Sequence, residues 1–161
     1  MRDSFGRPID YIRISVTDRC NLRCQYCMPK DVLDVGHDAI VRYEELLRFC
    51  RVATTLGITK FKITGGEPFV RKGLIPFLKE LRCIEGVQSV TITTNGQLLE
   101  RHIKDLAEMG IDGINISLDT LDGTQYARLA KGPIEPVLSA LEAPLAAGIP
   151  TKVNAVLLKE T

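Results

Sequence analysis

Three of the five cysteines in this chain of 161 residues crowd into one stretch, Cys20-x3-Cys24-x2-Cys27. Thiolates are soft ligands, so three at this spacing suit a metal centre. Structural zinc closes four ligands and usually draws them as two separated pairs. Here only one close pair exists, and the nearest histidine, His37, lies ten residues beyond Cys27. A redox Cys-x2-Cys would use Cys24 and Cys27 and leave Cys20 without a task. Three thiolates suit a 4Fe–4S cube with one iron open to an outside ligand, and an open position is what a metal needs for chemistry. From spacing, an iron–sulfur cluster stands first, zinc second and a metal-free loop third. Cys50 and Cys83 stand alone in helical patterns and read as buried apolar thiols. His102 falls on a polar helix face and reads as a solvated surface residue.

A second cluster of unusual residues is Gly65-Gly66-Glu67-Pro68. Glycines allow close backbone approach, and Pro68 forces the chain out of the preceding strand. Charge adds a hint of an anionic ligand. Residues 1–30 carry six basic and three acidic side chains, residues 60–82 carry six and two, and both segments hold one of these motifs. The whole chain is nearly balanced, with 21 basic and 20 acidic residues, which excludes nucleic-acid binding by bulk charge. Arg2, Asp3, Arg7, Asp10 and Arg13 interrupt any apolar leader, and no apolar run approaches the roughly 18 residues of a membrane helix. An odd cysteine count without an export signal argues against a disulfide framework, so the expectation is a cytoplasmic protein with no membrane partner. At 45% hydrophobic and 25% charged residues, the composition is that of one ordinary globular domain.

The elements that must position these residues alternate regularly. Residues 11–16, 60–64, 89–94, 113–118 and 152–158 read as strands, and 43–56, 73–83, 98–109 and 134–147 as helices. Gly57, Gly86, Gly110 and Gly148 follow helical patterns and supply C-cap chemistry. Pro144 should kink or shorten the last helix. Strand–helix alternation implies parallel strands with right-handed crossovers. Within each strand, apolar residues alternate with polar ones, as in Ile12, Ile14 and Val16 against Arg13 and Ser15. Strands covered by helices on both faces are near-continuously apolar, so here one face packs on helices and the other lines a polar lumen. The expected fold is α/β, a partial (βα) TIM-like barrel of about five βα units. A full barrel takes about 250 residues, and the chain stops at Thr161 just past a strand, so it reads as the front part of something larger.

The cysteine spacing, with Tyr26 before the third cysteine, resembles the signature of radical S-adenosylmethionine (radical SAM) enzymes. Gly65-Gly66-Glu67-Pro68 resembles that superfamily's motif for the methionine amino group. The stretches Phe5-Gly6-Arg7-Pro8-Ile9 and Arg13 to Cys24 are similar, more specifically, to the start of the GTP 3′,8-cyclase family. Tyr26-Cys27-Met28-Pro29, Thr93-Thr94-Asn95-Gly96, Asn115 to Asp119 and Lys152-Val153-Asn154 continue the resemblance in order. It implies that Cys20, Cys24 and Cys27 hold a 4Fe–4S cluster, that Tyr26, Gly66 and Ser117 bind S-adenosylmethionine, and that Arg13, Lys62, Thr93 and Lys152 contact GTP. In that family a 5′-deoxyadenosyl radical takes a hydrogen from ribose C3′ of GTP, which then closes on guanine C8, the first step of molybdenum cofactor biosynthesis. The resemblance also implies cyclic pyranopterin monophosphate synthase as pathway partner, a reductant such as flavodoxin, and a homodimer. Two departures stand out. Lys62 replaces the usual arginine, keeping charge but losing the guanidinium fork. No cysteine follows Cys83, so the second triad that holds a guanine-binding cluster is absent, and residues 1–161 read as the radical SAM core alone. Such a chain is expected to bind the first cluster and not to complete cyclisation.

Three other readings share part of this pattern. Another radical SAM enzyme, a peptide maturase or an activase, would share both motifs and differ in substrate contacts. A non-catalytic domain would use the triad as a zinc staple. A metal-free phosphate-binding domain would need a glycine-rich phosphate loop, and neither Gly-x4-Gly-Lys-Ser/Thr nor Gly-x-Gly-x2-Gly occurs.

Overall fold

A computed structural model describes residues 2–27 and 40–158; Met28, Pro29 and His37 lie outside the described residues. Five strands, β1 (Tyr11–Ser15), β2 (Lys60–Thr64), β3 (Ser89–Thr94), β4 (Gly113–Ser117) and β5 (Thr151–Asn154), form one sheet. Neighbours are parallel throughout, and their spatial order follows the chain. Parallel pairing demands a crossover between successive strands, and helices supply it. These are α1 (Tyr43–Thr55), α2 (Leu74–Arg82), α3 (Ile103–Glu108) after a 3-10 turn at Glu100–His102, and the pair α4 (Gly123–Ala130) and α5 (Glu135–Ala146). This is the expected partial barrel of βα units. No helix of the described residues is long and apolar enough to cross a membrane.

The alternation sorts the two faces as the strand period requires. Phe61, Ile63, Val90, Ile92, Ile114 and Ile116 are buried and join one core with Leu47, Leu78, Leu81, Leu106 and Val137 of the helices. Arg13, Lys62, Thr93, Asn115 and Lys152 occupy the other face, none of them buried.

Several expectations need correction. The crossover from β4 to β5 holds two helices, not one. In α4 the Asp122 side chain accepts from Gln125 N (2.7 Å) as the N-cap, and Tyr126, Leu129 and Ala130 are buried at helical spacing. Pro144 lies inside α5, two residues before its last residue Ala146, and its carbonyl accepts from Ile149 N (2.9 Å) in the closing turn. The fifth strand spans Thr151–Asn154 rather than 152–158, and Val153 is 53% exposed although its position is an apolar-face one. Among the described residues no helix follows β5 to cover that face. Cys50 is buried as expected, but Cys83 is exposed, because it caps α2 beyond the stripe of Leu74, Phe77, Leu78 and Leu81.

His102 is not a free surface residue either. Its ring stacks on Phe69 with centroids 4.9 Å apart, and burial, reinforced by Arg101, lowers its pKa below the ordinary 6.5. Gly57, Gly110 and Gly148 cap their helices at positive φ, whereas Gly86, also at positive φ, sits in the turn closed by Val87 N on Ile84 O, beyond the Cys83 cap of α2.

Two outcomes follow from this packing. Phe61→Ala should destabilise the chain by about 3–5 kcal/mol, and Val153→Ala by no more than about 0.5 kcal/mol, in urea unfolding. A histidine held neutral in the fold and free to protonate when unfolded removes stability as pH falls through its unfolded value. The acid-side loss between about pH 7 and 5 should therefore be smaller in His102→Phe than in the unaltered chain.

Candidate functional site

Because all strands run one way, the loops after β1, β2, β3 and β4 leave the same edge of the sheet. The first carries the cysteines, the second Gly65 to Pro68, the third Asn95, and β4 ends at Ser117 beside Asp119. The first two loops touch through backbone. Gly66 N donates to Thr17 O (2.7 Å) and Glu67 N to Arg19 O (2.8 Å). A Cβ on Gly65 would sit 2.7 Å from the Thr17 carbonyl oxygen, and one on Gly66 would overlap that of Arg19. The glycine pair is thus demanded by the root of the cysteine loop, whose backbone takes the room a side chain would fill.

Glu67 carries the contact onward. Its side chain is fully buried, with one oxygen accepting from Phe69 N (3.1 Å) and Thr94 Oγ1 (2.9 Å) and the other from Asn95 N (2.7 Å). Thr94 Oγ1 accepts in turn from Gly96 N (3.0 Å), which commits its proton to Glu67. Burial pushes the Glu67 carboxyl upward, while the three donors pull it back. From Asn95 the network reaches the cysteine loop, since its side-chain amide donates to Asn21 Oδ1 (2.9 Å) and to Cys20 Sγ (3.6 Å).

The cysteine loop has two further anchors. Arg23 N and Gln25 N donate to the carbonyls of Ala130 (3.1 Å) and Leu129 (3.0 Å), at the end of α4. The Arg71 guanidinium donates to Val16 O (2.6 Å) and Val41 O (2.8 Å) and lies 3.9 Å over the Tyr43 ring, tying both ends of the loop together. Cys20 and Cys24 are half-buried and Cys27 is exposed. Burial pushes the Cys24 thiol up to about 11, and Cys20 and Cys27 add to the shift, so the three sulfurs lie within electrostatic reach. Among the described residues, no three histidine, cysteine or acidic side chains yet converge on one ion. The donor set nevertheless fits a cationic iron centre: the three thiols are free and share one loop, and burial keeps Cys20 and Cys24 protonated unless positive charge binds them.

Of the positions expected to hold S-adenosylmethionine, Tyr26 donates its hydroxyl to Asp119 Oδ2 (2.7 Å), Gly66 lies under the cysteine loop, and Ser117 ends β4 half-exposed. The positions expected to meet GTP fall in two groups along the polar face. Arg13 is register partner of Lys62, while Thr93 and Lys152 both flank Asn115. Among the described residues, Arg13, Lys62 and Lys152 have no ion pair or hydrogen-bond partner for their charged ends. Elsewhere in the basic run at 60–82, Lys60 pairs with Asp10, Lys79 with Asp105 and Arg82 with Asp112, and Arg71 serves carbonyls, while the exposed Lys72 makes no ion pair among the described residues. Sequence reasoning missed the side chains of Glu67, Arg71, Asn95 and Asp119. A carboxylate between Gly-Gly and proline was the one available signal, since such a loop offers backbone donors.

Glu67→Gln would set an amide NH2 against the Asn95 N–H. The expected cost is about 1–3 kcal/mol in urea unfolding, with Thr94→Val smaller because each oxygen of Glu67 keeps one backbone donor, Phe69 N or Asn95 N.

Comparison with known proteins agrees with this geometry. The family model described as the radical SAM superfamily matches residues 14–161. GTP 3′,8-cyclase of Thermodesulfovibrio yellowstonii is 45% identical over 163 residues, covering 99% of this chain and 51% of its own length. That of Geobacter sulfurreducens is 47% identical over 160 residues, covering 98% and 49%. The chain thus spans about half the length of the curated relatives it matches. Among solved structures, Streptococcus suis SuiB bound to S-adenosylmethionine superposes with a TM-score of 0.77 at 24% identity, over 94% of this chain and 33% of SuiB. The anSMEcpe protein with bound AdoMet gives 0.77 at 22% identity, over 94% and 43%. These two show the shared fold. Fold, cysteine loop and family model converge: the chain belongs to the radical SAM superfamily.

Proposed function

We propose that this chain is the radical SAM core of a GTP 3′,8-cyclase, which converts GTP to (8S)-3′,8-cyclo-7,8-dihydroguanosine 5′-triphosphate in the first step of molybdenum cofactor biosynthesis. Three cations on the sheet's polar face, Arg13, Lys62 and Lys152, none with counter-charge among the described residues, carry this reading. The similarity to the cyclases of two bacteria supports it. Cys20, Cys24 and Cys27 hold a 4Fe–4S cluster, and Tyr26, Gly66 and Ser117 hold S-adenosylmethionine. Together those cofactors supply the electron and the carbon–sulfur cleavage that make a hydrogen-abstracting radical. Arg13 takes triphosphate oxygens bidentately, Lys62 and Lys152 act as point charges, and Thr93 offers a hydroxyl. Arg13 and Lys62, register partners on β1 and β2, repel one another in the free protein, and an anionic substrate relieves that cost as it binds.

In the same reading residues 1–161 are the core domain, and the portion holding a second, guanine-binding cluster lies outside them. The setting is cytoplasmic, with a flavodoxin-like reductant, a homodimeric arrangement, and cyclic pyranopterin monophosphate synthase consuming the product. Membranes and nucleic acids take no part.

Anaerobic reconstitution should load about four iron and four sulfide per chain, lost in Cys24→Ala. Calorimetric titration with GTP should show affinity falling roughly tenfold in each of Arg13→Ala and Lys152→Ala. About one zinc with no iron would replace the cluster by a structural site, and unchanged GTP affinity in both variants would remove the substrate assignment.

A further inference from the structure

We propose that Asn95 orients the Cys20 sulfur and sets the reduction potential of the cluster that this sulfur helps to hold. The inference rests on the reading of Cys20 as a cluster ligand. Asn95 follows β3 directly, and both its ends are held. Its backbone N–H is bound by the buried Glu67 carboxylate at 2.7 Å. Its side-chain Oδ1 accepts from Gln97 N at 3.0 Å.

That second bond decides which way the amide points. A flipped amide would set NH2 against the Gln97 N–H and its carbonyl against Asn21 Oδ1 and the sulfur. The observed orientation leaves the two amide protons facing Asn21 Oδ1 (2.9 Å) and Cys20 Sγ (3.6 Å). Leu22 N donates to the same sulfur at 3.4 Å. Among the described residues, Cys20 is the one member of the triad whose sulfur receives such donors. Asn95 is thus a neutral donor aimed at the sulfur and held by Glu67 and Gln97, neither of which hydrogen-bonds to that sulfur.

Hydrogen bonds to a cluster's sulfurs favour its more negative, reduced state and so raise the potential. Asn95 is a positioning residue in this scheme: it acts on the cluster through Cys20 and need not touch substrate.

The test compares reconstituted chains by iron and sulfide content, thermal melting and a dithionite titration followed by electron paramagnetic resonance. Asn95→Asp keeps Oδ1 for Gln97 and the backbone N–H for Glu67, but loses both amide protons and adds charge near the sulfur. Asn95→Ala removes the donor without charge. Asn21→Ala leaves the donor facing the sulfur and reports on the loop alone. With iron loading near that of the unaltered chain, the reduced-to-oxidised ratio at a fixed poise should fall about tenfold in Asn95→Asp, a shift of about 59 mV for one electron. A smaller fall is expected in Asn95→Ala and none in Asn21→Ala. Unshifted potentials in both Asn95 variants would overturn the inference, as would an equal fall in Asn21→Ala. Failure of the unaltered chain to take up iron is a separate result: it would remove the cluster reading, and the inference with it.

Discussion

A carboxylate with no access to water is costly unless every oxygen is matched by donors, and Glu67 meets that condition with three. The condition runs both ways. Phe69 N, Thr94 Oγ1 and Asn95 N point inward because the charge is there, and the charge is tolerable because they do. One side chain thereby locks the turn after β2 to the end of β3. The glycine pair before it extends the lock to the loop after β1, since only a chain without Cβ atoms lets Thr17 to Arg19 lie flat against it. Three loops, those after β1, β2 and β3, become one connected edge.

The rest of the cysteine loop depends on that edge and on two supports from elsewhere. Helix α4 offers its last carbonyls to Arg23 and Gln25, and the Leu22 side chain is buried against Gly132. Arg71 draws the loop's ends together through Val16 and Val41 while its guanidinium covers Tyr43, whose other neighbour is Phe77 at 4.6 Å. A loop pinned at its root, middle and return can carry three thiols in a defined place even where the thiols themselves are only half-buried. The polar face behaves oppositely. Among the described residues, it leaves Arg13, Lys62 and Lys152 without counter-charge on one face of the sheet. Cations gathered on one sheet face without counter-charge suit an anionic ligand.

Much of this architecture was legible beforehand. Period-two alternation is a local consequence of strand geometry, so the five strands and their two-faced character could be read directly. Glycine at helix ends is likewise local, and Gly57, Gly110 and Gly148 cap helices where they were expected, while Gly86 falls in the turn after the Cys83 cap of α2. The spacing of Cys20, Cys24 and Cys27 is a property of a single loop. Helix α4 had a readable signal too, in Asp122 followed by Gln125 and the buried Tyr126, Leu129 and Ala130. It was missed because the helix is short and begins on glycine.

What the amino-acid order determined by itself, then, was whatever depends on neighbours a few residues apart: strands, caps, and a triad of soft ligands. The tertiary structure alone decided which partners those elements meet. Glu67 reaches Thr94 across 27 positions, and Asn95 reaches Cys20 across 75. No periodicity marks such pairs, because they exist only once parallel strands are in register and their loops share an edge. For the same reason the basic run at 60–82 could not be divided in advance into the paired Lys60, Lys79 and Arg82 and, among the described residues, the unpaired Lys62 and Lys72. Likewise Val153 stands exposed on a strand whose alternation is regular, since a pattern assigns a face and only packing decides whether anything covers it.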